Sequence, residues 1–238
     1  MPTTSQAVIN FEPWHQLLVE YVNDRGQVDY QRWKATGQAV AQLNAWLATL
    51  QSTDLSSWPD EDTKLALLIN LYNALTIRQV LRKYPIDSVR PTVFGVPNLA
   101  AFKLFFSKPV YTLGDRTLSL DNLEHDLIRK QFAEPRIHFA LVCASVSCPI
   151  LRNEAYRPET LDQQLAHSAQ DFLNDATKNR YDAASNTLYC SKIFQWYEKD
   201  FLTVSSTIPV YVQQYLKQVL PPDAAVKYLP YNWQLNRV

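Results

Sequence analysis

The chain has 238 residues, 47% of them hydrophobic and 12% aromatic, and its 23 basic and 23 acidic side chains give a formal net charge of zero. That composition suffices for one well-buried domain, and it lacks the basic excess that is typical of nucleic-acid-binding proteins. With 4 glycines against 14 prolines, the sequence carries neither a P-loop nor a dinucleotide-binding fingerprint.

The N-terminal segment has no basic region and no long apolar core, so it does not resemble a signal peptide. No apolar stretch approaches the roughly 18 residues that a membrane span needs. We therefore expect a cytoplasmic protein that binds neither membrane nor nucleic acid. Its three cysteines are an odd number in a compartment that keeps thiols reduced, which argues against a disulfide framework and leaves room for a functional thiol.

In the first half of the chain, helical periodicity predicts helices over residues 11–23 and 31–51. Proline and acidic residues at 59–62 then mark the start of a helix that runs to about Lys83. That helix is apolar on nearly every face, so we expect it to lie at the centre of the fold.

The second half mixes short strands with helices. A loop-rich stretch ends in a predicted hairpin of residues 109–113 and 117–120. The other predicted elements are a helix at about 120–132, a strand at 137–142, a helix at about 159–175, a strand at 187–190, a loop or short helix at 191–201, a helix at 205–219 and a strand at 226–229.

These elements predict one α+β domain over residues 1–238, with an N-terminal helical part over 1–58 and a core over about 60–236. The domain should be mostly helical, with a small, mainly antiparallel sheet and a central buried helix.

The chemistry concentrates in residues 137–149, which read IHFALVCASVSCP. His138 interrupts a short apolar run that suits a buried strand, and Cys143 and Cys148 follow that run. A histidine with a cysteine on the loop just beyond it fits a general base and a nucleophile. Because strand side chains alternate, Cys143 should face away from His138 and be buried as a small apolar residue. Cys148, beyond the strand, is the preferred nucleophile.

Six blocks of the chain, in the same order, resemble the domain of unknown function family 547. They are VDY (28–30), INLYNALTI (69–77), LSLDNLEHDLIR (118–129), IHFALVCASVSCP (137–149), SKIFQWYEKDF (191–201) and YLPYNWQLN (228–236). The resemblance implies a single α+β domain whose His-then-Cys core looks like a rearranged papain-like or transglutaminase-like thiol site. The family's motif positions fall here on Asn73, Glu124, His125, His138, Cys143, Cys148, Lys192, Glu198 and Asp200.

Two positions depart from the family pattern. Ala144 stands where the family often has glycine, which implies a stiffer loop before Cys148. Asn232 stands where the family usually has aspartate, so no ionised role is expected at that position.

These residues favour a thiol-dependent hydrolase or acyltransferase that acts on an amide, peptide or thioester bond. Cys148, followed by a proline that suits the first position of a helix, would attack the carbonyl. His138 would take the thiol proton, and Glu124 would orient the imidazole. Backbone N–H groups of residues 145–148, together with Asn73, would bind the oxyanion. The substrate would be a small molecule or a peptide, and no cofactor or metal is expected.

A second group of polar residues is predicted to bind substrate. It comprises Asn73, His125, Lys192, Glu198 and Asp200. Two alternatives stay open. Asn73 and the nearby Asn70 would bind neighbouring backbone, as most buried amides do. An ion-pair network near the surface would explain Lys192, Glu198 and Asp200 equally well.

Three other interpretations compete with catalysis. In one, Cys148 is an inert buried thiol and His138 a hydrogen-bonded core residue. In another, His125, His138, Cys143 and Cys148 hold zinc, although C-x4-C spacing matches the usual zinc motifs poorly. In the third, the chain is a non-enzymatic binding or scaffold module with an aromatic groove, although aromatic side chains usually belong to the core. The sequence points to no particular protein partner.

Overall fold

The computed structural model describes residues 9–53, 60–94 and 96–238. Its N-terminal part contains three helices: α1 Glu12–Tyr21, α2 Tyr30–Ala35 and α3 Gly37–Thr49. The single helix predicted at 31–51 is therefore two helices. They separate at Thr36, whose ψ of 87° lies outside the helical range and interrupts the hydrogen-bond ladder.

Helix α4, Glu61–Lys83, is the central helix that the sequence predicted. Asp60 caps it by accepting a hydrogen bond from the Thr63 amide at 2.6 Å. Every residue from 65 to 81 is buried, so the helix is packed on all sides rather than on one face. Pro59, part of the predicted start signal, lies outside the described residues.

The predicted hairpin is present as β3 Tyr111–Leu113 paired with β4 Arg116–Leu118. A shorter hairpin, β1 Thr92–Val93 with β2 Val96–Pro97, precedes it. Helix α5, Leu99–Ser107, lies between the hairpins, in a stretch that the sequence assigned to irregular structure. Asn98 caps the start of this helix, and the apolar residues that follow allow it to form within that proline-rich region.

A three-stranded sheet completes the strands of the described residues. Its members are β5 Arg180–Asp182, β6 Thr187–Cys190 and β7 Ala225–Tyr228. Strand β6 is antiparallel to β5 and parallel to β7. The α+β class is confirmed, with short strands that form three small, mainly antiparallel sheets.

A π-helix replaces most of the α-helix predicted at about 120–132. It covers Asn122–Ile128, and α6, Arg129–Gln131, continues it. π-Helical turns are rare and are frequent at functional sites. Here the turn lies next to α4 and carries two of the residues that the sequence assigned to a site, Glu124 and His125.

The strand predicted at 137–142 is absent, and its first half is a 3₁₀-helix over Pro135–Phe139. Pro135 stands at the start of this helix, where its fixed φ suits a helical turn. The backbone of residues 140–142 is bound by the side chain of Asn73 instead of by a neighbouring strand. A short apolar run fits a buried strand and a buried helical segment equally well, so the sequence alone did not distinguish the two.

The C-terminal half is built from short helices around the three-stranded sheet. They are a 3₁₀ turn at Pro158–Thr160, α7 Leu161–Leu173, α8 Ile193–Trp196, α9 Glu198–Phe201 and α10 Ile208–Gln213. The loop or short helix predicted at 191–201 is thus two short helices. The helix predicted at 205–219 is shorter because it starts only after the Thr207 cap.

Buried apolar side chains form two clusters. One surrounds α4 and includes the inner faces of α1 to α3, and the other lies among α7, β6 and α8 to α10. The 3₁₀-helix joins them, because Ile137 belongs to the first cluster and Phe139 to the second. His138 therefore lies where the two clusters meet. Among the described residues, no helix combines the length and the apolar character that a membrane crossing requires.

Candidate functional site

The loop of residues 143–148, which we term the thiol loop, is held by the C-terminal tail of the chain. The Val146 amide donates to the Gln234 carbonyl at 2.8 Å, and the Ser147 amide donates to the Asn232 carbonyl at 3.1 Å. These backbone hydrogen bonds make the loop and the tail one structural unit, although they are far apart in the sequence.

The two cysteines of the thiol loop are in contact. The Cys148 sulfur lies 2.7 Å from the Cys143 sulfur and 2.8 Å from the Cys143 backbone nitrogen. Cys143 is partly exposed, whereas Cys148 is 4% exposed. The preference for Cys143 as the buried core thiol is therefore wrong. It assumed strand alternation, and the backbone forms no strand there, so the loop turns back and directs Cys148 inward.

Three hydrogen-bonding groups surround the Cys143 sulfur: Cys148 at 2.7 Å, Ser145 at 3.0 Å and Tyr231 at 3.4 Å. Burial alone would raise the pKa of Cys143, but hydrogen bonds from these three side chains outweigh burial and lower the pKa to about 7. Burial and the adjacent Cys143 raise the pKa of Cys148, so Cys148 keeps its proton. Of the two thiols, Cys143 is thus the one whose surroundings favour the thiolate.

Asp200 orients the imidazole of His138. The Nε2 atom of His138 lies 2.8 Å from Asp200 Oδ2, and the ring stacks on Tyr197 with 3.9 Å between centroids. Arg129 donates to both oxygens of Asp200, at 2.7 and 2.9 Å. Burial would raise the pKa of Asp200, but the hydrogen bonds with His138 and Arg129 hold that pKa well below its usual range. Because an ionised carboxylate only accepts, the imidazole proton resides on Nε2 and the lone pair on Nδ1.

His138 is a neutral base in this setting. Burial lowers its pKa, and that effect outweighs the hydrogen bond to Asp200, which favours the charged form. In the parts of the chain that the structure describes, no group forms a hydrogen bond with Nδ1. A fixed tautomer with a free acceptor nitrogen is what a general base requires.

Glu124, which was predicted to orient His138, has another partner. The Tyr72 hydroxyl donates to Glu124 Oε2 at 3.2 Å. Within the described ranges no hydrogen bond joins Glu124 to His138, because the orienting hydrogen bond belongs to Asp200. Glu124 is nevertheless a neighbour, since its buried charge counteracts the lowering of the His138 pKa. The sequence predicted a carboxylate beside the imidazole, but the carboxylate that contacts the ring is Asp200, from a later helix, and not Glu124.

Within the described residues no hydrogen bond joins His138 to Cys143 or Cys148, and the thiol loop and the imidazole are related through Tyr197. Burial raises the pKa of Tyr197, and the charges of Glu124 and Cys143 raise it further. Tyr197 is the ring that stacks on His138, so the electrostatic influence of Cys143 extends to the imidazole's neighbour. We term this set of side chains the polar cluster; its members are Cys143, Cys148, His138, Asp200, Arg129, Glu124, Tyr72, Tyr197 and Tyr231.

Asn73, predicted to bind substrate, binds backbone. Its amide donates to the Ala140 carbonyl at 3.0 Å, and its oxygen accepts from the Val142 amide at 2.9 Å. These hydrogen bonds fix the segment directly before Cys143. The structure therefore supports the alternative in which a buried amide satisfies neighbouring backbone, and Asn70 does the same for another segment.

The other predicted substrate-binding residues have separate surroundings. His125 is exposed, and its Nδ1 lies 2.8 Å from the Arg129 guanidinium. Asp200 is engaged by His138 and Arg129, as an ion-pair network predicts. Lys192 and Glu198 form no side-chain hydrogen bond or ion pair with the described residues, so their contact with substrate stays a prediction.

Most of the predicted oxyanion donors are engaged elsewhere. The amides of residues 146–148 donate to backbone carbonyls. The amides of Ala144 and Ser145 donate to no oxygen in the described part of the chain, and the Ser145 amide instead helps to lower the pKa of Cys143. These two N–H groups directly follow Cys143 and are the donors available to an oxyanion formed there.

An aromatic surface adjoins the thiol loop; the sequence offered an aromatic groove only as part of an alternative interpretation and did not locate it. Trp196, Tyr231 and Trp233 pack with centroid separations of 4.8, 5.7 and 4.4 Å, and Phe102 lies 4.7 Å from Trp233. We term these four residues the aromatic wall. The Tyr231 hydroxyl joins the wall to Cys143, and Trp196 is 44% exposed. Periodicity could not reveal a surface assembled from separate segments, and the concentration of aromatic residues near 191–201 and 228–236 was its only signal.

The zinc interpretation finds no support in the geometry. Among the described residues, no group of three or more His, Cys, Asp or Glu side chains is arranged to hold a metal ion. His125 contacts Arg129, and His138 contacts Asp200, so the two histidines do not converge on the thiols. Cys143, Cys148 and Cys190 are all free thiols.

No curated protein and no solved structure matches the chain. A family model described as "Protein of unknown function, DUF547" matches residues 55–173. The matched region contains α4, the π-helix, His138 and the whole thiol loop. The chain belongs to this family of proteins of unknown function, DUF547.

Proposed function

We propose that the chain is a thiol-dependent hydrolase or acyltransferase that acts on an amide, peptide or thioester bond. The observation that carries the proposal is the sulfur of Cys143, a partly exposed residue, on which Cys148, Ser145 and Tyr231 converge. Donors around a sulfur stabilise the thiolate, which is the nucleophilic form. Cys143 replaces Cys148 as the nucleophile because Cys148 is buried and protonated.

In the acylation step, the Cys143 thiolate attacks the substrate carbonyl and forms a tetrahedral oxyanion. The amides of Ala144 and Ser145 stabilise the negative charge. His138 takes the thiol proton at Nδ1 and passes it to the leaving amine or thiol, while Asp200 stabilises the imidazolium. In the second step, water or an amine attacks the acyl-thiol, loses its proton to Nδ1 and releases the product.

The substrate class follows from the surface beside the nucleophile. The aromatic wall offers apolar and π surface next to Cys143, through Tyr231. A small molecule or peptide with an apolar group next to the scissile bond fits this surface. A cytoplasmic location forms part of the proposal, because a reducing compartment keeps Cys143 and Cys148 as thiols.

A chromogenic ester tests the proposal. We expect p-nitrophenyl acetate to release one equivalent of nitrophenolate in a burst and to leave an acetyl group on Cys143, identified by peptide mass mapping. The Cys143→Ser variant should form no such adduct. Cys190→Ser is the matched control, because Cys190 is fully buried and burial raises its pKa to about 12.

Two results would overturn parts of the proposal. Acetylation of Cys148 with Cys143 left free would overturn the choice of nucleophile. A reduced, folded chain that acquires no acyl group from esters or from acyl thioesters, from about pH 5 to about pH 9, would overturn the enzymatic function.

A further inference from the structure

The contact between the two sulfurs of the thiol loop has a chemical consequence of its own. They lie 2.7 Å apart, and a disulfide bond needs about 2.05 Å, so the pair closes by a shift of less than about 1 Å. Both residues lie on the same short loop, and both are free thiols. Bond formation is therefore a change within this loop.

The two thiols have different access to solvent. Cys143 is partly exposed, so a small oxidant can reach it, and its sulfur lies within hydrogen-bonding distance of the Ser145 and Tyr231 hydroxyls. Cys148 is buried directly behind it, and its sulfur is already in contact with the Cys143 sulfur. This is the arrangement of an attacking cysteine with an adjacent resolving cysteine.

We propose that Cys143 and Cys148 form a peroxide-sensitive pair that closes reversibly to a disulfide. The Cys143 thiolate attacks the terminal oxygen of a hydroperoxide, the O–O bond breaks, and Cys143 becomes a sulfenic acid while an alcohol or water leaves. The Cys148 sulfur then attacks the Cys143 sulfur and expels water. Two thiols and one hydroperoxide thus yield one disulfide, one alcohol and one water, and a dithiol reductant reverses the oxidation.

The disulfide would also control the activity proposed above. Under that proposed function, on which this one consequence rests, the disulfide removes the nucleophile and blocks acylation until it is reduced. Formation of the disulfide itself does not depend on turnover of any substrate.

Oxidation of the reduced full-length chain by hydrogen peroxide tests the pair. We expect the intact mass to fall by two hydrogens, the free thiols to drop from three to one, and a peptide map to link Cys143 to Cys148. In Cys148→Ser, dimedone should trap a sulfenic acid on Cys143, whereas Cys143→Ser should react far more slowly. Cys190→Ser is the matched control and should form the disulfide at the wild-type rate.

Over-oxidation of wild-type Cys143 to sulfinic acid without a disulfide, or disulfides only between chains, would overturn the proposal. Circular dichroism of each variant separates these outcomes from misfolding. A chain that forms the disulfide but is never acylated contradicts the hydrolase alone. A chain that is acylated but never forms the disulfide contradicts the peroxide-sensitive pair alone.

A cationic cavity elsewhere in the molecule carries a second, independent inference. A cleft of about 720 Å³ lies between the C-terminal half of α4, the end of α5 and the β3–β4 hairpin. Its charged lining residues are all cations: Arg78, Arg82, Lys83 and Lys108. None of the four forms an ion pair with a carboxylate among the described residues.

Arg78 is the buried one of the four cations that line the cleft. It is 9% exposed, and one of its terminal nitrogens donates to the Val110 carbonyl at 2.6 Å. Its Nε is buried and has no partner in the described part of the chain. A buried cation without a counterion is costly, and Arg82 adds repulsion from the next turn of the helix.

The geometry points to a binding site for a small, multiply charged anion, with phosphate-type oxygens, in the cleft. Such a ligand would pair with Arg78 and with the exposed cations at the rim, Arg82 and Lys108. The volume is that of an ordinary small-molecule site.

Calorimetric titration with inorganic pyrophosphate, at constant ionic strength set by sodium chloride, tests this site. We expect saturable binding that weakens roughly tenfold in Arg82→Gln and in Lys108→Gln, as loss of a charge-assisted contact predicts. Lys103→Gln is the matched control, because Lys103 is exposed on the same helix α5 and lies outside the cleft. An absence of saturable binding, or equal weakening by Lys103→Gln, would overturn the site.

Discussion

Asp200 shows how one side chain sets the chemistry of its neighbours. It accepts from His138 through one oxygen and from Arg129 through both, so it fixes the imidazole tautomer and pairs a guanidinium at once. Its helix α9 is brought there by Phe201, which packs against the rings of His138 and Phe139. The sequence predicted that Asp200 contacts substrate, because a motif supplies residue types but not the direction in which their side chains point.

We expect Asp200→Asn to lower the rate of Cys143 acylation by about 10²- to 10⁴-fold, because an amide permits the wrong imidazole tautomer. The fold should persist, and stopped-flow release of nitrophenolate measures the effect. Lys199→Gln, an exposed neighbour on the same helix, is the control and should leave the rate unchanged. An Asp200→Asn variant with the wild-type rate and pH profile would show that another group orients His138.

Ala144 illustrates what a family resemblance adds and what local reasoning misses. Its φ of 61° lies in the left-handed region, where glycine is the usual residue, and this explains the glycine that the family often has there. The choice between Cys143 and Cys148 failed for a related reason. It assumed strand alternation up to Cys143, in a segment whose backbone forms no strand.

At the scale of elements, prediction succeeded where the signals were local. Helix α4 has an N-cap, acidic residues in its first turn and a long apolar body, and the β3–β4 hairpin has strands around a Gly-Asp turn. The π-helix has no such signal. The 3₁₀-helix starts at Pro135, but the segment that follows it depends on the distant Asn73, which takes the hydrogen bonds that a partner strand would have made.

Asn73 therefore links α4 to the segment before the thiol loop. Replacing it with alanine leaves the buried Ala140 carbonyl and Val142 amide without partners, so we expect Asn73→Ala to lower the free energy of unfolding by about 2–4 kcal/mol. Urea denaturation measures the loss. Asn44→Ala is the control, because that exposed side chain binds only the carbonyl one turn earlier. Equal midpoints for the two variants would contradict the role of Asn73.

The turn between α1 and α2 contacts the segment that directly follows the thiol loop. Gly26 has a φ of 70°, and a Cβ added to it would lie 2.4 Å from the Ile150 Cβ and 2.8 Å from the Ile150 Cα. We expect Gly26→Ala to destabilise the chain by roughly 2–4 kcal/mol, because backbone must move to relieve the clash. Gly37→Ala, with no atom within 4 Å of the added Cβ, should be neutral or slightly stabilising. Thermal unfolding compares the two, and similar melting temperatures would contradict the contact.

At the scale of the molecule, the polar cluster is assembled from segments that the sequence keeps far apart. His138 comes from the 3₁₀-helix, Asp200 from α9, Arg129 from α6 and Tyr231 from the tail. Composition and motifs identified a thiol and a histidine, and the family blocks indicated the segments that matter. Which carboxylate meets the imidazole depends on the packing of the two apolar clusters against each other, and no pairwise pattern in the sequence encodes it.

The position of His138 between the two clusters makes the stability of the whole molecule depend on pH. Burial lowers the pKa of His138 below its usual value of 6.5, although Asp200 and Glu124 counteract this and Arg129 reinforces it. As the pH falls from about 7 to about 5, the unfolded chain takes up a proton that the folded chain refuses, so stability decreases by at most about 1.4 kcal/mol per pH unit. The lowered pKa of Asp200 stabilises the fold at all pH values above the usual carboxyl range, and this contribution is lost only in stronger acid. Asp200 therefore does not change the pH dependence of stability between about pH 7 and about pH 5.

We therefore expect urea denaturation midpoints of the wild type to fall between about pH 7 and about pH 5, and His138→Gln to flatten this dependence because the group that titrates is gone. His167→Gln is the matched control, since His167 is exposed and should leave the wild-type slope in place. An NMR titration in which His138 takes up its proton above the usual histidine pKa would reverse the sign. It would mean that the carboxylates of the polar cluster outweigh burial, and that His138 is charged when Cys143 ionises.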